Sequence, residues 1–162
     1  AKIFKSIPGL ETAKFARLGG LHRYTFINSP LLLNQTLKLK TDMRLRFAGQ
    51  ITGVEGYIES AAIGLLSAYF AASEYKEVDY QLPPRTTALG SLISYITQDA
   101  SVDLFQPMNI NFGLFPPLEK RKNSDGKTKN LKGRERKTAL AKRALSDIKL
   151  WSCKYLKELR SS

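Results

Sequence analysis

"FAGQITGVEGYIESAA", residues 47–62, places Gly49, Gly53 and Gly56 within eight positions, between an alternating apolar segment and an Ala-rich one. Glycine inside an element is costly, so such a cluster marks a backbone that turns sharply or lies close to something else. Upstream, "MRLRFAG" alternates Met43, Leu45 and Phe47 with Arg44 and Arg46, the period of a strand with one covered face. Downstream of Glu55 the period changes. Ile58, Ala62, Leu65, Tyr69 and Ala72 recur at helical spacing, with small Gly64 and Ala68 between them for close packing. The stretch predicts a strand, a glycine turn and a helix.

Such a unit aims the unpaired N–H groups of the helix's first turn at whatever lies before it, and the helix dipole adds partial positive charge there. The spacing G-x-x-x-G-x-x-G matches neither the dinucleotide fingerprint nor the P-loop. Two readings stay open at this point: a phosphate-facing turn, or close packing of helix on strand. Glu55 and Glu59 suit the dipole without a ligand and partly repel a phosphate, whereas the Glu55 carboxylate could accept hydrogen bonds from sugar or ribityl hydroxyls.

The chain has 162 residues, 43% of them apolar, enough for one domain with a core. Its single cysteine, Cys153, excludes an internal disulfide and a Cys-rich metal site, and the absence of a secretory leader sets a cytoplasmic expectation. "AAIGLLSAYFAA", residues 61–72, falls short of the roughly 20 residues of a membrane span and reads as a buried helix. The net charge of +12 is uneven: residues 119–162 hold 15 Lys and Arg against 5 Asp and Glu, leaving 11 against 9 for residues 1–118. A nearly neutral body with a basic tail points to a polyanionic partner, nucleic acid or an anionic membrane surface.

In the opening 30 residues, Pro8-Gly9, a Gly19-Gly20 break and a β-leaning run from Tyr24 to Ile27 suggest short strands and turns. "PPRTTALGSLISYITQ" predicts a second helix from about Thr87 to Thr97, capped by Thr86 or Thr87. "FQPMNINFGLFPPL" is Pro-bounded and aromatic, an ordered, packed loop, and residues 119–133 read as a mobile linker. Leu140, Ala144, Ile148, Trp151, Tyr155 and Leu159 then space out an amphipathic helix with a basic outer face. Within the basic run, Lys120, Arg121, Lys122, Lys127, Lys129, Lys132, Arg134, Arg136 and Lys137 are the candidate RNA contacts, against the alternative of a solvated face. His22, the only histidine, reads from context alone as a solvated or structural residue, and Cys153 as an inert, half-buried thiol.

Taken together and in order, "IPGLETAKFARLGGLHRYTFINSP", "FAGQITGVEGYIESAAIGLL", "PRTTALGSLISYIT" and "FQPMNINFGLFPPL" resemble the C-terminal part of the bacterial FAD- and folate-dependent tRNA (uracil-5-)-methyltransferases. The likeness covers nearly the whole chain and is weakest after Leu118. It implies an α/β fold, a partial FAD/NAD(P)-binding Rossmann-type fold lacking its N-terminal βαβ and followed by a helical C-terminal region. The implied division is residues 1–75 as part of the FAD-binding domain, 76–118 as helix and packed loop, and 119–162 as basic linker and helix. By resemblance, Gly49, Gln50, Gly53, Val54, Glu55 and Gly56 contact FAD, and His22 stacks on the pterin of 5,10-methylenetetrahydrofolate with Arg23 beside it.

The resemblance further implies NAD(P)H as reductant, tRNA as partner, and no metal or membrane. The chemistry moves a methylene carbon from folate to flavin, uses a thiolate at C6 of uracil, and finishes the methyl group with hydride. The family's ADP-holding turn and nucleophilic cysteine lie upstream of the matched motifs, and Cys153 occupies no matching position. The expectation is a C-terminal segment that acts with an N-terminal half and is inactive alone. The alternatives are a freestanding basic RNA-binding module and a non-functional remnant.

Overall fold

The computed structural model describes residues 2–15, 25–118, 121–122, 128–129 and 131–161, with side chains of the last helix as far as Tyr155. Lys2–Lys5 (α1) and Ser29–Leu32 (α2) are single helical turns, so the described part of the opening holds helical turns where short strands were expected. Pro30 stands in the first turn of α2, where its missing N–H costs nothing. The Ile27 amide donates across to the Ile51 carbonyl at 2.9 Å rather than entering a ladder.

Lys38–Leu39 (β1) and Asp42–Arg46 (β2) form an antiparallel ribbon with an irregular register between Lys38 and Leu39. The predicted strand is present, but of its predicted covered face only Phe47, just past the strand, packs against the core: Met43 and Leu45 are 51% and 50% exposed. The sheet contains two strands only, and no layer lies over that face among the described residues. The ribbon is fastened instead through Glu74, which accepts from Lys38 and, at 2.9 Å, from Arg46. The Lys38 ammonium holds the Glu74 carboxyl below its ordinary range.

After a 3-10 turn at Gly49–Thr52, the long helix Tyr57–Tyr75 (α3) begins two residues later than the change of period suggested. Its buried side differs from the predicted stripe. Ile63, Leu66, Tyr69 and Phe70 enter the core, whereas Ile58 and Leu65 face outward and a Cβ on Gly64 would meet open space. A helix apolar on all sides carries no periodic signal to say which side is inward.

Thr87 caps Ala88–Ser94 (α4), its Oγ1 accepting from the Gly90 amide at 3.0 Å and donating to the Pro84 carbonyl at 2.7 Å. The helix continues through a wide turn at Tyr95–Asp99. The Pro-bounded loop after it is ordered as expected, with Phe105 and Phe115 buried. Within the predicted linker, Arg121–Lys122 (β3) pairs antiparallel with Thr128–Lys129 (β4), and Asp125-Gly126, a hairpin signal, stands between them in sequence.

The last helix, Gly133–Ser161 (α5), is docked rather than appended. Leu140 and Trp151 are buried, and Ile148 and Tyr155 pack against the core. The Trp151 indole N–H donates to the Gln81 carbonyl at 3.0 Å, and its ring meets Tyr69 edge-on at 5.3 Å. Arg143 donates to the carbonyls of Pro117 and Pro116 at 2.9 and 2.5 Å. The described residues are thus a mixture of helix and small sheet around one core.

Trp151→Ala is expected to destabilise the chain by about 3–5 kcal/mol, the cost of emptying a large aromatic site. The neighbouring exposed Cys153→Ala should stay within about 0.5 kcal/mol. Denaturant unfolding followed by far-UV circular dichroism checks both, and a Trp151→Ala effect below about 1 kcal/mol would mean that α5 only rides on the surface.

Candidate functional site

The glycine turn is shaped by two positions in the left-handed region, Gly49 at φ 75° and Gly53 at φ 88°, where a side chain is strained. At Gly53 a second constraint applies. A Cβ there would stand 2.3 Å from the Phe105 ring, so the glycine backbone is packed directly under that aromatic. Met108 donates its amide to the Gly53 carbonyl at 3.1 Å, and the Glu55 amide donates back to the Met108 carbonyl at 3.3 Å, making a parallel bridge of Val54 with Met108.

Gly56 needs its missing side chain for a different reason. A Cβ would lie 1.9 Å from Oε2 of Glu59, which folds over it, while Oε1 accepts from the Ile110 amide at 3.3 Å. Sequence reasoning gave Glu59 only a dipole role. It is also the carboxylate that crosses from the first turn of α3 to the 105–110 loop, and the signal for this was the "MNIN" motif, which marked that loop as specific without saying what it touches.

The turn is tied on its other side to the segment that follows His22. Besides the Ile27 amide on Ile51, Ser29 Oγ donates to the Thr52 carbonyl at 2.9 Å, and Phe26 meets Phe105 edge-on at 6.1 Å. His22 and Arg23 themselves lie outside the described residues.

Of the six residues expected at the cofactor, Gln50 and Glu55 are exposed and Gly49 and Gly56 half-buried, whereas Gly53 and Val54 are buried. The Val54 side chain belongs to the core, so the outward surface of the turn is made of the other four. Residues 47–60 contain no Lys or Arg. With Glu55 and Glu59 beside the α3 N-terminus, this surface suits a neutral, hydroxyl-bearing or amide-bearing ligand edge better than a bare phosphate.

The basic candidates belong to other elements. Lys120 and Lys127 are outside the described residues, and Arg121, Lys122 and Lys129 lie on the β3–β4 ribbon. Lys132, Arg134 and Lys137 are exposed at and before the start of α5, with Arg136 half-buried. Exposed Lys142 and Lys149 extend this basic surface along α5. Sequence reading stopped at Lys137 because the later lysines are interleaved with the helix's apolar positions. Among the described residues no cluster of His, Cys, Asp and Glu could hold a metal, and no helix is long and apolar enough to cross a membrane.

Comparison with known proteins bears on this geometry. The family model described as glucose inhibited division protein A matches residues 1–79, which include the whole glycine turn and α3. A methylenetetrahydrofolate–tRNA-(uracil-5-)-methyltransferase TrmFO from Paramagnetospirillum magneticum is 56% identical over 151 residues, covering 93% of this chain and 33% of its own length. The enzyme of the same name from Rhodospirillum rubrum is 59% identical over 153 residues, covering 93% of this chain and 32% of its own length. That from Caulobacter vibrioides is 55% identical over 159 residues, with 93% and 34% covered. The chain therefore spans about a third of the length of the curated relatives it matches. At this level of identity across nearly all its residues, the chain belongs to the family of the methylenetetrahydrofolate–tRNA-(uracil-5-)-methyltransferases.

Proposed function

We propose that this chain corresponds to the C-terminal part of a cytoplasmic enzyme forming 5-methyluridine in the T-loop of tRNA, and that it supplies one wall of the flavin and folate site and part of the RNA surface. The observation that carries the reading is the 51–59% identity to enzymes of that name over a region that includes the whole glycine turn. FAD, reduced by NAD(P)H, supplies the redox and one-carbon chemistry when bound with 5,10-methylenetetrahydrofolate. The residues of the turn fit the uncharged end of such a cofactor. Gly49 lets a planar ring approach the backbone, and Gln50 and Glu55 offer polar groups at its edge.

In this reading β2, the glycine turn and α3 are the last strand–helix unit of a Rossmann-type fold. The remaining strands, the ADP-holding turn and the nucleophilic cysteine belong to the N-terminal half, and residues 1–75, 76–118 and 119–162 are successive parts of this chain: the end of the FAD-binding domain, a helix with its packed loop, and the basic linker and last helix. His22 stacks on the pterin with Arg23 beside it, which the attachment of residues 26–29 to the turn supports. Cys153, exposed on α5, does not take the nucleophile's role.

Flavin content tests this directly. The chain purified alone should be colourless, and the chain co-expressed with the unmatched part of the Rhodospirillum rubrum relative should carry flavin absorbance. A stoichiometric flavin on the isolated chain, or a colourless complex, would contradict the proposal.

A second reading, a freestanding RNA-binding module, is favoured by the exposed basic surface. Removing α5 would strip Trp151 from the core, so the informative change is charge neutralisation: Lys132, Arg134 and Lys137 to Gln together. For every phosphate that is no longer neutralised, the slope of log affinity against log salt should fall by about 0.7–0.9. A tRNA-binding salt series is expected to show a fall of at least about 1.4, that of two phosphates. An unchanged slope would reduce this surface to a solvated face.

A further inference from the structure

Only one oxygen of Glu59 serves the contact between α3 and the 105–110 loop: Oε1 accepts from the Ile110 amide at 3.3 Å. Oε2 lies over Gly56 and takes no hydrogen bond among the described residues, and Glu59 makes no ion pair with them. The contact itself does not need a charge. A neutral amide oxygen at the same place would accept from Ile110, and a half-buried carboxylate costs desolvation that an amide largely avoids. What the charge does meet is the N-terminus of α3. Glu59 stands in its first turn, behind Gly56, an N-cap with no side chain to satisfy the leading amides. The dipole stabilises the carboxylate, and the carboxylate in turn opposes the positive field in the space before the helix. Residues 47–60 hold no Lys or Arg that would restore that field.

We propose that Glu59 is a positioning residue of the flavin site, one that acts through its charge: held over Gly56, the carboxylate offsets the helix dipole and keeps a reduced flavin ring a strong electron donor. The inference rests on the reading of the glycine turn as the uncharged end of that site. The place of the charge is built into the fold. The space that Gly56 leaves is filled by this carboxylate, with Oε2 1.9 Å from where a Cβ would stand, so a side chain at position 56 would displace it. Asn109 Oδ1 lies 2.8 Å from the same point and adds partial negative charge on the same side. Exposed Glu55, the residue before the N-cap, contributes to the same field. An anion site at a helix N-terminus has the reverse arrangement, bare amides turned to the ligand with no acid between. Reduction adds electrons to the ring, and an unopposed N-terminus would stabilise them there. With Glu59 charged, they stay available for transfer.

The test measures the flavin midpoint potential of residues 1–162 co-expressed with the unmatched part of the Rhodospirillum rubrum relative, in wild type, Glu59→Gln, Glu59→Ala and Glu77→Gln. Glu59→Gln removes the charge and keeps an acceptor for Ile110. It should favour the reduced flavin about tenfold, a rise of about 30 mV for a two-electron couple, with amide exchange at Ile110 unchanged. Glu59→Ala should raise the potential by a similar amount and also accelerate exchange at Ile110. Glu77→Gln, just beyond the far end of α3, should move neither. An unchanged or lowered potential in Glu59→Gln, or a shift of the same size in Glu77→Gln, overturns the inference and leaves the flavin site standing. Loss of flavin from Glu59→Gln with Ile110 still protected also overturns it, since Glu59 would then hold the ligand rather than tune it. A colourless wild-type complex contradicts the flavin reading itself, and the inference with it.

Discussion

The packing of Gly53 beneath Phe105 is the constraint from which the rest of the site follows. It requires a residue without a side chain, at a φ that other residues avoid, and it brings the backbone at Gly53 and Met108 close enough to exchange hydrogen bonds. That pairing fixes where α3 begins. It also sets the 105–110 loop against the first turn of α3, where Glu59 holds the Ile110 amide. The same Phe105 ring receives Phe26 and Tyr95, so the segment after His22, the glycine turn and the end of α4 meet on one aromatic side chain.

Around this centre the core divides the work. Phe70 and Tyr69 of α3 reach toward the ribbon and toward Trp151 of α5, the latter through an edge contact and the former through Arg46, whose guanidinium lies 5.9 Å from the Phe70 ring. The ring of Tyr95 is half-buried, which pushes its phenol up, and its hydroxyl donates to the Gln106 carbonyl at 2.8 Å. Loop 105–110 is thus held from the helix side and from the turn side. An ordered loop of this kind is what a surface presenting backbone to a flat ligand requires.

Much of this was legible in the sequence, and the parts that were not have physical causes. The strand, the glycine turn, the Thr87 cap and the inward positions of α5 all announce themselves through periodicity or capping chemistry. The inward side of α3 does not, because alanine and leucine surround the whole helix and the spacing of Ile58 and Leu65 is as regular as that of Ile63, Leu66 and Phe70. The covered face of β2 was misread for a related reason: alternation says that one side is apolar, not that a layer lies over it. The partner of the glycines was invisible because Phe105 is 52 residues away from Gly53, and no local rule joins them.

Gly53→Ala measures the central contact directly. Placing a Cβ at φ 88° costs about 1–2 kcal/mol, and forcing it against Phe105 costs about 1–3 more, so a destabilisation of about 2–5 kcal/mol is predicted. Amide exchange at Met108 should accelerate with it, and Phe105→Ala should remove the steric part of the effect in a double-mutant cycle. If Gly53→Ala leaves both the unfolding midpoint and Met108 exchange unchanged, the turn is not held by this packing and the site is organised in some other way.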